Sequence, residues 1–234
     1  MIIEGRNALC EALKSDVTIE KVLIMEGAPN AGSVISLCKE KKVMYKMADR
    51  KVLDRFSPDG SHRGFIGFAT EFKYFDIEEI LKNDNMLLLL LDGIEDPHNL
   101  GAIIRVAECA GADGIVIPKR RSCGVTDTVL KISSGAASHV KVAKVNNLND
   151  LIRDLKERGV TVLCADMDGD SIYKTDLKGN LAIVIGGEGE GVHALTKKLC
   201  DGVIALPQRG KVNSLNASVA AGIVLYECLR QRGV

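Results

Sequence analysis

Residues 204–227, IALPQRGKVNSLNASVAAGIVLYE, join a short apolar strand, a loop holding Pro207 and Gly210, and a long helix of mostly small residues. Proline and glycine stop the strand, and Ser214 stands where a helix N-cap belongs. Beyond it Leu215, Val219, Gly222, Tyr226 and Leu229 recur at helical spacing, while Ala217, Ala220, Ala221, Ile223 and Val224 occupy the other faces. A helix apolar nearly all round is a buried one, often against a second subunit. Its beginning is polar, however, with Asn213, Ser214 and Asn216 following Arg209 and Lys211. Such a group reads either as ordinary capping or as the mouth of a ligand site.

From Met86 onward the chain alternates strands and helices, which predicts a mainly parallel sheet covered on both faces. Strands are expected at 86–92, 113–117, 140–145, 160–166, 181–186 and 202–206, and helices near 99–110, 127–134, 148–158, 192–199 and 214–231. The run MLLLLL at 86–91 is far shorter than the ~20 residues of a membrane span and reads as a central buried strand. Residues 1–72 form a second α/β pattern: helices at Asn7–Lys14, Ser33–Lys42 and Asp49–Phe56, strands at Ile19–Met25, Val43–Met47 and Gly64–Thr70. Between them 73–85 is polar and charged, as a linker is. The expected division is therefore 1–72, a linker at 73–85, and 86–234.

The chain has 234 residues, 46% of them hydrophobic, so one large or two smaller cores are expected. With 31 basic and 31 acidic residues there is no bulk charge to attract nucleic acid, and any such partner must be held by local patches. Lys39, Lys41, Lys42, Arg50, Lys51 and Arg55 make the middle of the first unit basic, and Lys119, Arg120 and Arg121 form a basic loop in the second. A solvated face is the plain meaning of such runs; phosphate positioning is the functional one. Seven scattered cysteines without a CxxC pair point to reduced thiols in a cytoplasm, and against a zinc site. No basic-then-apolar leader opens the sequence.

Three segments fall at the C-terminal ends of expected strands, where open α/β sheets bind ligands. In LDGIEDPHNLGAIIRVAECAGADGIVIP, 91–118, the helix is apolar apart from Arg105 and Glu108. These two can pair at i,i+3, or the arginine can address a phosphate. Asn99 reads most simply as a helix cap. In IVIGGEGEGV, 183–192, Glu188 and Glu190 stand where a pyrophosphate would lie and would repel it. Close glycines with carboxylates suit hydroxyls, amines or a cation, and so favour S-adenosylmethionine over a nicotinamide dinucleotide. The third segment is the opening stretch.

Taken together, DPHNLGAIIRVAECAGADGIVIP, IVIGGEGEGV and LPQRGKVNSLNASVAAGIVLYE resemble, in order and spacing, the three motifs of the SpoU/TrmH class of RNA ribose methyltransferases in the SPOUT superfamily. The likeness is closest to its RlmB-like branch, which methylates a guanosine of 23S rRNA. The resemblance implies an L30e-like RNA-binding domain over 1–72 and a methyltransferase domain over 86–234 with a deep trefoil knot. It implies a cytoplasmic homodimer that acts on RNA without a metal, with S-adenosylmethionine as co-substrate. Asn99, Arg105, Glu188, Ser214 and Asn216 match the catalytic positions. Gly186, Leu206 and Leu215 match donor-contacting ones, with Gly187 and Gly189 in the same loop. Gln208 departs from the methionine usual after the proline of the third motif. A tRNA guanosine methyltransferase and a non-catalytic RNA-binding protein of the same fold are the alternatives.

Overall fold

The computed structural model describes residues 2–14, 17–57, 60–70, 72–189, 191–211 and 214–233. The chain divides into two compact units, Met1–Lys73 with Val125–Asp127, and Tyr74–Gly124 with Thr128–Val234.

The first unit holds β1 (Ile2–Glu4), α1 (Arg6–Lys14), β2 (Thr18–Met25), α2 (Ala31–Glu40), β3 (Met44–Ala48), α3 (Arg50–Asp54) and β4 (Phe65–Thr70). Its sheet runs β1-β4-β2-β3, with β2 parallel to β3 and antiparallel to β4. Strand alternation sends Val22, Ile24, Phe65 and Ala69 to one face, where Leu9 of α1 and Val34 and Cys38 of α2 cover them. Leu23 and Ile66 point to the opposite face and meet Leu53 of α3. The β1 strand was absent from the expected pattern because three residues show no alternation; pairing with β4 alone fixes it.

The second unit holds α4 (Ile77–Ile80), β5 (Leu87–Asp92), α5 (Pro97–Cys109), β6 (Gly114–Pro118), α6 (Asp127–Ile132), β7 (Lys141–Val145), α7 (Leu148–Glu157), β8 (Thr161–Ser171), β9 (Leu181–Gly186), α8 (Ala194–Leu199), β10 (Gly202–Ala205) and α9 (Ala217–Gln231). Six strands in the order β10-β8-β9-β5-β6-β7 pair in parallel throughout. Leu87 to Leu91 are all at most 3% exposed, as a strand covered on both faces requires. Leu88 and Leu90 join Val116, Val184 and the α7 residues Leu151, Ile152 and Leu155 in one core. On the other face α9 packs against α5 and β9.

The stretch read as a linker belongs to this unit. The Phe75 amide donates to the Val142 carbonyl at 3.0 Å. Asp76 caps α4 in a capping box with Glu79, and Ile80 is 1% exposed within the α7 core. Its acidic composition hid the two isoleucines that dock it.

The C-terminus of α9 is stapled down by polar groups. Buried Glu227 accepts from Arg230 (2.9 and 2.8 Å) and from Gln231 (2.8 Å). Gln231 in turn bonds the Thr175 carbonyl and the Leu177 amide, and Arg232 donates to the carbonyls of Asn85 and Gly179. The Arg230 guanidinium, and then the Gln231 amide, hold the Glu227 carboxyl down at about 2, below its ordinary 4.5. A depressed folded pKa contributes stability fully above the unfolded value and loses it as pH falls toward the folded one. Glu227→Gln is therefore expected to destabilise the protein at neutral pH, with the gap from wild type closing as pH falls from about 4.5 toward 2. Chemical denaturation of both proteins across that range measures it.

Candidate active site

Because β9, β8 and β10 are parallel neighbours, the loops leaving their C-terminal ends emerge on one side and enclose a cleft of about 500 Å³. Its wall comes from the glycine loop after β9, the end of β8, and the segment between β10 and α9. The loop is shaped by tight backbone approaches. A Cβ on Gly187 would lie 2.1 Å from the Gly93 carbonyl oxygen, and one on Gly186 would lie 2.2 Å from the Gly191 carbonyl carbon. Gly189 takes the left-handed conformation at φ 93°. The Gly187 amide donates to the Asp92 carbonyl at 2.8 Å, joining this loop to the end of β5.

Of the residues matched to donor contacts, Gly186, Gly187, Gly189, Leu206 and Leu215 all line the cleft, as do Glu188, Ser214, Asn216 and Gln208. Asn99 sits beside it through a three-residue network. Asn99 Nδ2 donates to Glu188 Oε1 at 2.9 Å, and Asn216 Nδ2 donates to Asn99 Oδ1 at 2.9 Å and to Glu188 Oε1 at 3.0 Å. The Asn216 Oδ1 accepts from the amides of Ser218 (2.9 Å) and Val219 (3.3 Å) and from the Ser218 hydroxyl (2.6 Å). The orientations enforce one another. Backbone amides need the Asn216 oxygen, which turns its nitrogen inward; an ionised glutamate only accepts, so Asn99 must present its nitrogen to it. One residue from each of the three segments thus meets at one point.

Several expectations about these residues are corrected. Asn99 is not a cap: Asp96 caps α5, accepting from the His98 amide at 3.0 Å with Pro97 in the first turn, while Asn99 is buried at 5% exposure. An Asp-Pro pair at a helix start was the signal for that cap. Asn216, not Ser214, caps α9, and Ser214 is exposed at the cleft. Ser218, which completes the cap, was missed. Glu190 and Asn213 lie outside the described residues.

Arg105 stands apart from this network. It is exposed, and among the described residues it makes no hydrogen bond or ion pair, so the i,i+3 pair with Glu108 does not form. Six residues along a helix from Asn99 is about 9 Å of rise and roughly 240° of turn, which puts the two side chains on different faces. Nor is α9 buried all round. Gly222 packs against Val106 of α5 in the same chain, with 3.4 Å between the position of a Cβ and Val106 Cγ2. Val219, Ile223 and Tyr226 form an exposed apolar stripe, 50, 36 and 51% accessible.

The basic residues are divided. Lys39, Lys41 and Lys42 lie at the end of α2, while Arg50, Lys51 and Arg55 lie on and after α3, which covers the other face of the sheet. Arg50 pairs weakly with Asp54 at 3.8 Å. Lys119, Arg120 and Arg121 are exposed after β6.

Residues 86–226 match the SpoU rRNA Methylase family, and residues 2–75 match the family described as RNA 2'-O ribose methyltransferase substrate binding. The chain belongs to the SpoU rRNA methylase family. Its similarity to a Bacillus subtilis (strain 168) protein assigned to the TrmH family of tRNA/rRNA methyltransferases is 43% identity over 237 residues, 97% of this chain and 94% of that one. The fold is that of the SpoU methyltransferase AviRb from Streptomyces viridochromogenes, solved in complex with AdoMet (TM-score 0.65, 21% identity, 99% of this chain and 90% of that one). It is also that of an AdoMet-bound rRNA methyltransferase from Sinorhizobium meliloti (TM-score 0.64, 24% identity, 98% and 86%). Asn99, Glu188 and Asn216, one from each of the three segments, all lie within the matched span of the methylase family.

Proposed function

We propose that this protein transfers a methyl group from S-adenosylmethionine to a ribose 2'-hydroxyl of RNA, a guanosine of 23S rRNA being the target, and that it works as a cytoplasmic homodimer. The observation that carries this reading is the closed Asn99–Glu188–Asn216 network at the rim of the cleft. A volume near 500 Å³ suits a nucleoside-sized ligand. Ile185, Ile204 and Leu206 offer apolar surface to a base, and the glycine loop lets backbone groups come close. A knotted chain path through the 181–231 region is part of this reading.

S-adenosylmethionine supplies an electrophilic methyl group. A ribose hydroxyl is a weak nucleophile unless the negative charge that grows on its oxygen is stabilised. A guanidinium, whose free pKa is above ~12, is suited to that charge and to an adjacent phosphate more than to removing a proton. We assign this role to Arg105. Since it points away from the network of its own chain, it serves the site of a second copy. The stripe of Val219, Ile223 and Tyr226 on α9, which packs on the helix carrying Arg105, is the surface through which the copies join. Glu188 and Asn99 hold the glycine loop and the start of α9 in register.

The test is calorimetry and transfer together: the protein binds S-adenosylmethionine, not a nicotinamide dinucleotide, and methylates an rRNA fragment in preference to tRNA. Ile223→Glu is expected to convert the dimer to a monomer in light scattering and to abolish transfer, because it buries a charge in an apolar contact. A monomeric wild type with full activity contradicts this. Deleting residues 1–73 is expected to leave donor binding in place while lowering RNA affinity. Phosphate contacts by the basic residues of the first unit would dominate that loss, so it should shrink as salt rises. Equal affinities and salt slopes for truncated and full-length protein in filter binding exclude this role.

A further inference from the structure

One strand breaks its own ladder at the cleft. β9 pairs with β8 as far as Ala165, opposite Ile185. On the other side β10 pairs Val203 with Cys164, and its next residue, Ile204, with Asp170. Asp166 to Gly169 therefore arch out of both ladders and rejoin at Asp170. The arch returns so tightly that a Cβ on Gly169 would lie 2.6 Å from the Val203 carbonyl oxygen. Irregularities of this kind re-aim side chains beside ligand sites. Here the effect is to bring Asp166 and Met167 to the cleft wall.

We propose that Asp166 binds the two ribose hydroxyls of the methyl donor. The inference rests on the donor reading above and names the residue that selects the sugar. Two described carboxylates line the cleft, and Glu188 is already engaged by Asn99 and Asn216. Asp166 Oδ2 lies 3.9 Å from the position of a Cβ on Gly191, so the carboxylate faces the glycine loop across the cleft. Its orientation is fixed at two points, the Met167 amide on Oδ1 at 2.6 Å and Lys197 Nζ on Oδ2 at 3.1 Å. A carboxylate has about four lone-pair sites, so roughly two remain, the number a vicinal diol needs. The donor also carries an ammonium group. Lys197 Nζ is shared with Asp168, at 2.5 Å, so charge alone does not choose between that ammonium and the diol; ligands with and without the amino-acid arm separate them.

The experiment compares wild type with Asp166→Ala by calorimetry, using S-adenosylhomocysteine and 5'-methylthioadenosine. Both contain the ribose, and the second lacks the amino-acid arm. Asp166→Ala is expected to weaken both ligands by a similar factor, roughly ten- to a hundredfold, as loss of hydrogen bonds to a charged group does. Asp166→Asn keeps the side chain's shape and covers the case in which the alanine protein does not fold; it should weaken both ligands in the same pattern. Unchanged affinity for both ligands in either folded variant overturns the proposal. So does weakening of S-adenosylhomocysteine alone, which would assign Asp166 to the ammonium. If wild type binds neither ligand, the donor reading itself fails, and the proposal with it.

Discussion

Arg105→Ala is expected to lower methyl transfer by roughly a hundredfold or more while donor affinity stays within about twofold of wild type. The side chain is exposed and lies outside the residues that line the cleft, so its removal disturbs neither the donor wall nor the core. In the role proposed for it, its contribution is confined to the transition state, where charge appears on the ribose oxygen. The proposed position of Arg105 across a dimer gives this prediction a second part. Arg105→Ala mixed with Asn216→Ala, each inactive alone, should recover roughly a quarter of wild-type turnover, since half the dimers are mixed and each mixed dimer has one intact site. Were Arg105 to serve the site of its own chain, no mixture could recover anything.

Asn216→Ala has the other large effect, and it acts on structure and activity together. The amide caps α9 through Ser218 and Val219, a contribution of about 0.5–2 kcal/mol. Its loss also strips a partner from the buried Asn99 Oδ1, which costs about 1–3 kcal/mol more. Transfer should fall by about a hundredfold, because the glycine loop and α9 are then no longer held to α5. Asn216→Asp separates the two roles. It still accepts from the Ser218 and Val219 amides, so the cap survives, but it sets a carboxylate against Glu188 where the amide nitrogen donated. Denaturation curves should show the aspartate protein recovering part of the lost stability, and transfer assays should show it still impaired.

The strands of the second unit could be read from sequence to within one residue at their ends, because parallel strands buried on both faces are continuous apolar runs such as Leu87–Leu91; the exception is β8, which runs to Ser171 where its apolar run predicts an end at 166. The meeting of the three segments followed from parallel order, since strand ends that share a side share a site. What escaped depends on partners distant in sequence. The α4 turn is docked by two isoleucines in an acidic stretch, and nothing local distinguishes it from linker. Asn99 looked like a cap because its real partners, Glu188 and Asn216, lie 89 and 117 residues away. The arch at Asp166–Gly169 is set by the pairing of β8 with β10, and the run DMDGD carries no periodicity that would announce it. Exposure of one α9 face was also hidden: small and apolar residues surround that helix, and only packing against α5 decides which face remains open.

The most direct measurement follows the methyl group to its atom. Full-length protein is incubated with methyl-labelled S-adenosylmethionine and a 23S rRNA fragment, and the RNA is then hydrolysed in alkali. A 2'-O-methyl group blocks cleavage at its own phosphodiester, so the prediction is that label appears in an alkali-resistant dinucleotide that yields 2'-O-methylguanosine on further digestion. Label released on a mononucleotide with a methylated base would contradict the account, as would no transfer at all from dimeric, donor-loaded protein.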